Sequence, residues 1–359
     1  MRRYYPGITL FKLAGCLLVL FSHVLLIRYA DAAANQQLRF VALPFSVIVP
    51  CFYMVAGFLA YKGWLKAASP IRYVSRYVVR IGLLYAAFCA MFAAEHILPA
   101  LMGGGLSTAN LILQAKIMLA AVFLNGPSVQ LWFIPPLLFS VPAACWLMER
   151  RRIRLAILLA SAGFAAALLA AGSLRPLLLA IAGEQVWPYG SLGAYGELLI
   201  YRYFGFGFFF VLAGMLAAKY EETFYRMRLL PLLAAAIVLT AAESMLLLGL
   251  ADYSHEYRLT LSVIPNTLLL FYGLLHAKSR SVQAWHPWIN LFSIVTFVGH
   301  ILFMRLNLLV TGWDLGHMNG LQDAIFVLLA LAECLTVTVL LRGLGRIRQP
   351  SRSSTAEQL

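Results

Sequence analysis

Long apolar runs dominate the pattern of hydrophobic and polar positions along the chain. Each run is long enough to cross a hydrocarbon core of about 30 Å. None shows the short alternation of outer-membrane strands, and backbone in lipid must satisfy its own hydrogen bonds, so the runs predict helices. The predicted spans are residues 9–29, 41–61, 81–100, 131–148, 153–172, 200–218, 229–250, 259–276, 289–310 and 321–341. The pattern therefore predicts an all-α, polytopic integral membrane protein of about ten transmembrane helices.

Composition and charge placement refine this picture. The chain is 62% hydrophobic and only 12% charged, whereas soluble domains carry about a quarter charged residues. A net charge of +14 would suit nucleic acid, but most basic residues fall in alternate loops, as in the cluster at 150–154. This is the positive-inside pattern. It predicts cytoplasmic N- and C-termini in a multi-pass protein of the bacterial inner membrane, with the lipid bilayer and no nucleic acid as partner.

One further apolar segment, residues 107–124, needs an assignment of its own. As an eleventh crossing it would move the 150–154 cluster to the outside and invert every later loop. Lys116 also lies in its middle. We expect an interfacial or re-entrant helix on the outer face, with the eleventh crossing as the alternative.

The two ends of the chain carry further signals. Met-Arg-Arg, an apolar run and small residues at 30–34 resemble a cleavable signal peptide. His23 inside the run and an interfacial Arg28-Tyr29 pair favour a retained helix instead. We expect one transmembrane domain over 1–345, followed by a disordered cytoplasmic tail at 346–359. All five cysteines lie in apolar runs without CxxC spacing, so they predict buried free thiols and no metal site.

Polar residues inside spans are costly and mark candidate functional sites. Lys12 and His23 stand eleven residues apart in the first span, which is close to three helical turns. Both side chains should therefore lie on nearly the same face, separated by about 16 Å along the axis. This placement predicts a shared water-filled channel, with Lys12 nearer the cytoplasm and His23 in the outer half.

A basic stripe leads into the third span. Arg72, Arg76 and Arg80 occupy positions i, i+4 and i+8, which lie on one side of a helix. Arg80 directly precedes the apolar segment and is expected to be partly buried. Because arginine binds phosphate through two hydrogen bonds, Arg76 and Arg80 suit a phosphate-bearing ligand at the cytoplasmic mouth.

These residues carry a family resemblance. Lys12 followed by His23 resembles the basic-x10-His motif in the first helix of the membrane acyltransferase 3 family. Residues 49–59, 77–81 and 131–134 are similar to that family's second helix, its arginine-rich third helix and its Trp-Phe segment. Ser293 with His300 resembles a motif near the family's C-terminal end. The chain departs from the family pattern at Ala56, Tyr77 and Phe297, and it resembles the stand-alone form without a fused esterase-like domain.

The resemblance implies a membrane-bound O-acyltransferase. Such an enzyme would transfer an acyl group, most often acetyl, from cytoplasmic acyl-CoA (acetyl-CoA) to a hydroxyl of an extracytoplasmic carbohydrate such as an exopolysaccharide or O-antigen. Lys12, Arg76 and Arg80 would bind the donor and His23 would act as general base, since an unperturbed histidine side chain has a pKa near neutrality. No serine nucleophile motif is present, so direct transfer and an acyl-histidine intermediate both stay open.

Secondary candidates lie at the span ends. His300, Trp132, Glu95 and Glu197 could contact the acceptor or assist catalysis, although aromatic residues populate membrane interfaces in general. Glycan-assembly proteins are candidate partners. The alternative function is a polytopic transporter or polysaccharide-export subunit without acyl transfer.

Overall fold

The computed structural model describes residues 4–26, 46–182, 191–250, 255–314 and 316–347. Every regular element within these ranges is helical, which confirms the predicted all-α class. The helices are α1 Pro6–Phe21, α2 Ile48–Leu65, α3 Pro70–Gly104, α4 Thr108–Asn125, α5 Ile134–Glu149, α6 Ile153–Ala171, α7 Arg175–Ala182, α8 Leu192–Lys219, α9 Glu221–Tyr225, α10 Leu229–Leu250, α11 Val263–His276, α12 Arg280–Thr311 and α13 Gly320–Ile347.

Several helices contain turns of other types. A π-helical turn, Ser22–Leu26, continues α1, and π-helical segments lie within α3, α4 and α8 at Ala93–Ile97, Ala121–Asn125 and Ile200–Phe208. Short 3₁₀ helices occur at Val129–Leu131 and His255–Arg258. Such π segments often occur at functional sites.

Nine helices of the described ranges are long and apolar enough to span a membrane. The predicted spans at 131–148 and 259–276 form shorter apolar helices, α5 and α11. Conversely, α4 has the length and composition of a span, although the sequence analysis assigned residues 107–124 to the outer face. The sidedness of the membrane stays a prediction.

The chain forms two compact units. The terminal unit contains residues 1–34 and 277–359, and the central unit contains 35–276. In the terminal unit α1 packs along α12, and α12 packs along α13. Tyr4 donates to the carbonyl of Val282, and Lys12 donates to Asn290 further along both helices. The sequence separation stays near 278 residues from one contact to the next, so α1 and α12 run parallel.

Parallel α1 and α12 constrain the topology between them. Two parallel spans must be separated by an odd number of crossings. The ten-span prediction places seven crossings between them, whereas an eleventh crossing would make eight and reverse α12. The parallel packing therefore favours the assignment in which residues 107–124 are not a separate full crossing.

The central unit shows how α4 fits this count. Helix α3 contains 35 residues, about 52 Å, which exceeds a hydrocarbon core of about 30 Å. Tyr77 near its start lies beside Cys145 of α5, and Tyr85 donates to the carbonyl of Val122 in α4. Asn110 near the start of α4 donates to Ala100 near the end of α3. Thus α5 and α4 follow successive halves of α3 in the opposite direction and resemble one interrupted crossing.

A close helix crossing holds the core of the central unit. A Cβ atom added to Gly214 of α8 would lie 1.9 Å from the carbonyl oxygen of Met54, and one added to Gly57 of α2 would lie 2.0 Å from the carbonyl oxygen of Val211. Only glycine fits this approach, which is typical of helix packing in membranes. Fully buried Phe58 and Met215 fill the space beside it.

Some sequence predictions fall outside the described residues. These are the first residues of the span at 41–61, Arg28, the small residues at 30–34, and the tail from 348 to 359. The five cysteines are all described, and all are buried free thiols, as predicted.

Candidate functional site

The predicted shared face of Lys12 and His23 is confirmed in the terminal unit. The Lys12 ammonium donates to the side-chain oxygen of Asn290 at 3.1 Å. The His23 ring lies 5.4 Å from the ring of His300, measured between centroids. Both partners belong to α12. The interface between the parallel helices α1 and α12 therefore contains the Lys12 ammonium near one end and the His23–His300 pair near the other.

The histidine pair is the strongest chemical feature of this face. His23 lies in the π-helical turn that follows α1, is partly exposed, and makes further contacts beyond this pair. His300 is completely buried. The planes of the two rings are tilted by 31° to one another. One imidazole is thus open to a ligand while the other supports it from inside the protein.

The tautomer of His300 follows from its backbone contact. Its Nδ1 lies 2.8 Å from the carbonyl oxygen of Thr296. A carbonyl can only accept, so Nδ1 carries the proton and Nε2 presents a lone pair in the neutral ring. Nε2 is buried and has no hydrogen-bond partner within the described residues. A buried acceptor of this kind is costly, and it can receive a proton or a hydrogen bond.

A second polar cluster fixes the start of α1 against α12. The Tyr4 hydroxyl donates to the Thr9 hydroxyl at 2.9 Å, and Thr9 lies 2.9 Å from Nδ1 of His286. The Tyr4 ring also meets the His286 ring edge-on. These residues were not singled out from the sequence. They set the register that brings Lys12 opposite Asn290.

Arg76 and Arg80 lie in the central unit on the first half of α3. Both are exposed, so the expectation that Arg80 is partly buried was wrong. The packed face of α3 contains Ile81, Tyr85 and Cys89, and both arginines project from the opposite side because helical positions advance by about 100° per residue. Arg76 donates to the carbonyl of Arg72, one turn earlier.

The remaining candidates also belong to the central unit, but they do not share one cluster. The Trp132 ring lies beneath the guanidinium of Arg202, with 5.1 Å between the ring centroid and Cζ of the arginine. Glu197 pairs with Arg175 at 3.6 Å. Glu95 is exposed beside His96. Of the residues predicted from the sequence, Lys12 and His23 lie on the face that packs against α12, which carries His300.

Two acids inside predicted spans, Glu243 and Glu333, have structural partners. Glu243 accepts hydrogen bonds from the Ser173 hydroxyl and from the backbone N–H groups of Leu261 and Ser262. It therefore caps the backbone before α11.

Two further polar residues join neighbouring helices. Glu333 accepts from Asn307, which ties α13 to α12. Asn266 donates to Thr240, which ties α11 to α10.

Aromatic and polar residues near the predicted outer loops suit a carbohydrate, and the structure describes only part of them. Trp187 and Tyr189 lie outside the described residues. Asp314 and His317 pair with each other at 2.6 Å in an exposed loop. The Asp314–His317 contact is thus formed within one loop.

Comparison with known proteins gives one match. A family model described as an acyltransferase domain matches residues 5–343. No curated protein and no solved structure matches the chain. The matched region contains every helix that contributes a candidate residue.

Proposed function

The chain belongs to the acyltransferase 3 family, and from this premise we propose that it is a multi-pass membrane O-acyltransferase that acylates an extracytoplasmic carbohydrate. The donor we propose is acyl-CoA, most simply acetyl-CoA, and the acceptor is a hydroxyl of an envelope glycan. The observation that carries the proposal is the His23–His300 pair on the face that also holds Lys12.

The proposed reaction assigns His23 the role of general base. One ring nitrogen of His23 takes the proton of the acceptor hydroxyl while that oxygen attacks the thioester carbonyl. The carbon–sulfur bond then breaks, an ester forms, and the leaving thiolate takes the proton back from the imidazolium. In the proposal, the free Nε2 lone pair of His300 accepts a hydrogen bond from the His23 ring during the reaction and orients it, as a carboxylate orients the base in other acyl-transfer enzymes. No carboxylate of the described part of the chain has a recorded contact with His300.

Taken separately, basic residues of the terminal unit and of the central unit each suit a phosphate group. Lys12 has a neutral partner in Asn290, so its charge is available to an anion. Arg76 and Arg80 project from a part of α3 that runs beside apolar α5. Both side chains are exposed, and a phosphate-bearing ligand bound there would satisfy both guanidinium groups.

Removing the arginine charges should weaken donor binding. For the double variant Arg76→Gln and Arg80→Gln we expect the affinity for acetyl-CoA to fall about 100-fold or more, because two charge-assisted hydrogen bonds at about 1.5–3 kcal/mol each are lost. Titration calorimetry of the purified full chain would measure it. S-acetyl-pantetheine lacks the nucleotide phosphates and should bind both proteins equally.

Arg154→Gln is the matched control for that experiment, because Arg154 is exposed at the start of α6 and off the α3 stripe. If acetyl-CoA affinity is unchanged in the double variant, or falls equally for S-acetyl-pantetheine, the assignment of Arg76 and Arg80 to the phosphates is wrong.

The proposed function is tested by reconstitution. The full chain in liposomes would receive radiolabelled acetyl-CoA on one side and isolated envelope glycan on the other. We expect a base-labile acetyl ester on the glycan, identified by mass spectrometry. Movement of glycan across the membrane without ester formation would instead indicate the transporter alternative.

A further inference from the structure

A second charged site lies in the central unit, around Arg202. This arginine belongs to the π-helical segment Ile200–Phe208 of α8. Its guanidinium donates to the carbonyl oxygen of Leu124, at the end of α4, and lies 5.1 Å from the ring centroid of Trp132. The Trp132 ring in turn meets Phe206 edge-on. Arg202 is thus held where α4 ends and the turn into α5 begins.

Three tyrosines fix the same junction. Tyr85 donates to the carbonyl of Val122 at 2.7 Å, Tyr203 donates to that of Phe123 at 2.7 Å, and Tyr53 donates to that of Phe133 at 2.9 Å. With Arg202, Tyr85 and Tyr203 satisfy carbonyl groups that the end of α4 leaves without intrahelical partners. The Phe133 carbonyl, at the start of α5, accepts from the Leu137 N–H as well as from Tyr53. The hydroxyl protons are therefore committed, and the phenolic oxygens keep lone pairs that can accept from a ligand.

The charge of Arg202 is not balanced by this arrangement. A guanidinium has five N–H donors, and the carbonyl of Leu124 takes one of its N–H groups. Among the residues that the structure describes, no carboxylate pairs with Arg202, whereas nearby Arg175 does pair with Glu197. An unbalanced cation is expensive at membrane depth and usually marks a functional site.

The depth of Arg202 follows from α5. That helix begins beside Arg202 and ends about 22 Å away at the basic cluster of residues 150–154. If that cluster is cytoplasmic, as the positive-inside pattern predicts, Arg202 lies toward the outer side. A ligand that reaches it would come from the side of the acceptor.

We propose that Arg202 and Trp132 form an oxyanion-binding subsite for the acceptor, where the guanidinium binds a carboxylate or phosphate and the Trp132 ring packs against the adjoining sugar. This inference rests on the proposed function and narrows its substrate to an acidic glycan or a glycan on a phosphorylated carrier. Planar guanidinium groups match both oxyanions through paired hydrogen bonds.

The test is equilibrium binding to the purified full chain in nanodiscs, without donor. The probes are an oligoglucuronate, a neutral cello-oligosaccharide of equal length and farnesyl diphosphate. Arg202→Gln keeps an N–H group that can reach the carbonyl of Leu124 but removes the charge. We expect it to weaken binding of one anionic probe about tenfold or more, with little change for the neutral probe. Arg202→Lys should keep part of the affinity.

Lys116→Gln is the matched control, because it removes one exposed charge from α4, the helix that Arg202 contacts. It should leave the affinity for all three probes unchanged. Loss only for oligoglucuronate identifies a sugar carboxylate, and loss only for farnesyl diphosphate identifies a carrier phosphate. Equal loss for the neutral and anionic probes in a folded Arg202→Gln protein, or no loss for any probe, would show that Arg202 only caps α4. These titrations involve no acyl transfer, so their failure leaves the proposed function standing, and failed transfer leaves the binding result standing.

Discussion

Replacement of His23 by alanine is expected to lower the rate of acyl transfer by about 100- to 10,000-fold, the usual contribution of a general base. His23 is partly exposed in a π-helical turn and contacts the ring of buried His300. Alanine keeps the helix but removes the group that accepts the hydroxyl proton. Initial rates of ester formation on glycan, measured in the reconstituted system at saturating acetyl-CoA, would give the size of the loss.

The matched control is His317→Ala, which removes an exposed histidine that pairs with Asp314 in a loop. It should transfer acyl groups at the rate of the unchanged protein. Binding of acetyl-CoA should be retained in His23→Ala, because the donor is held by cations elsewhere. A stably inserted His23→Ala protein with an undiminished rate would refute the assignment of His23 as general base.

The positions of the spanning helices could be predicted from the sequence wherever one long apolar run forms one helix. The prediction was weaker at 131–148 and 259–276, where shorter helices form. Hydropathy averages over a window and therefore cannot show where a helix is interrupted. At α4 and α5 the interruption depends on partners such as Tyr85 and Arg202, which reach carbonyl groups from other helices.

The candidate site was predictable to the extent that it depends on periodicity within one helix. The spacing of Lys12 and His23 places both on one face, and the structure shows both against α12. The same periodicity cannot identify the opposing helix, which lies 277 residues further along the chain at His300. His300 was a candidate only through family resemblance. The exposure of Arg80 was misjudged because the direction in which α3 packs is set by Tyr85 and Cys89.

Arg202 illustrates what sequence reasoning leaves out. Arg202 lies in an aromatic segment, Ile200–Phe208. The sequence does not show which groups it contacts, so there it resembles any basic residue near the end of a span. Its two contacts are to a backbone carbonyl and to the face of Trp132. Neither kind of contact leaves a spacing signature in the chain, although a basic residue inside an apolar run is itself a signal.

His300→Leu is expected to reduce kcat about 100-fold while KM for acetyl-CoA stays nearly constant, because His300 acts on the base and not on the donor. Its Nδ1 is committed to the carbonyl of Thr296, which leaves the Nε2 lone pair for His23. His300→Gln can place an amide oxygen near the position of Nε2 and should restore part of kcat. Steady-state rates for both variants, beside the unchanged protein, would measure the difference.

A purely structural role for His300 predicts another pattern. Leucine and glutamine have similar volumes, and a buried amide is harder to accommodate than leucine, so a packing role would leave the leucine variant the more active of the two. Thr338→Val supplies the matched control, since it removes a buried hydroxyl that bonds the carbonyl of Cys334 in the same unit and should leave kcat unchanged. Rescue by glutamine but not by leucine would therefore require an acceptor at the Nε2 position, and equal rates in the two variants would exclude that role.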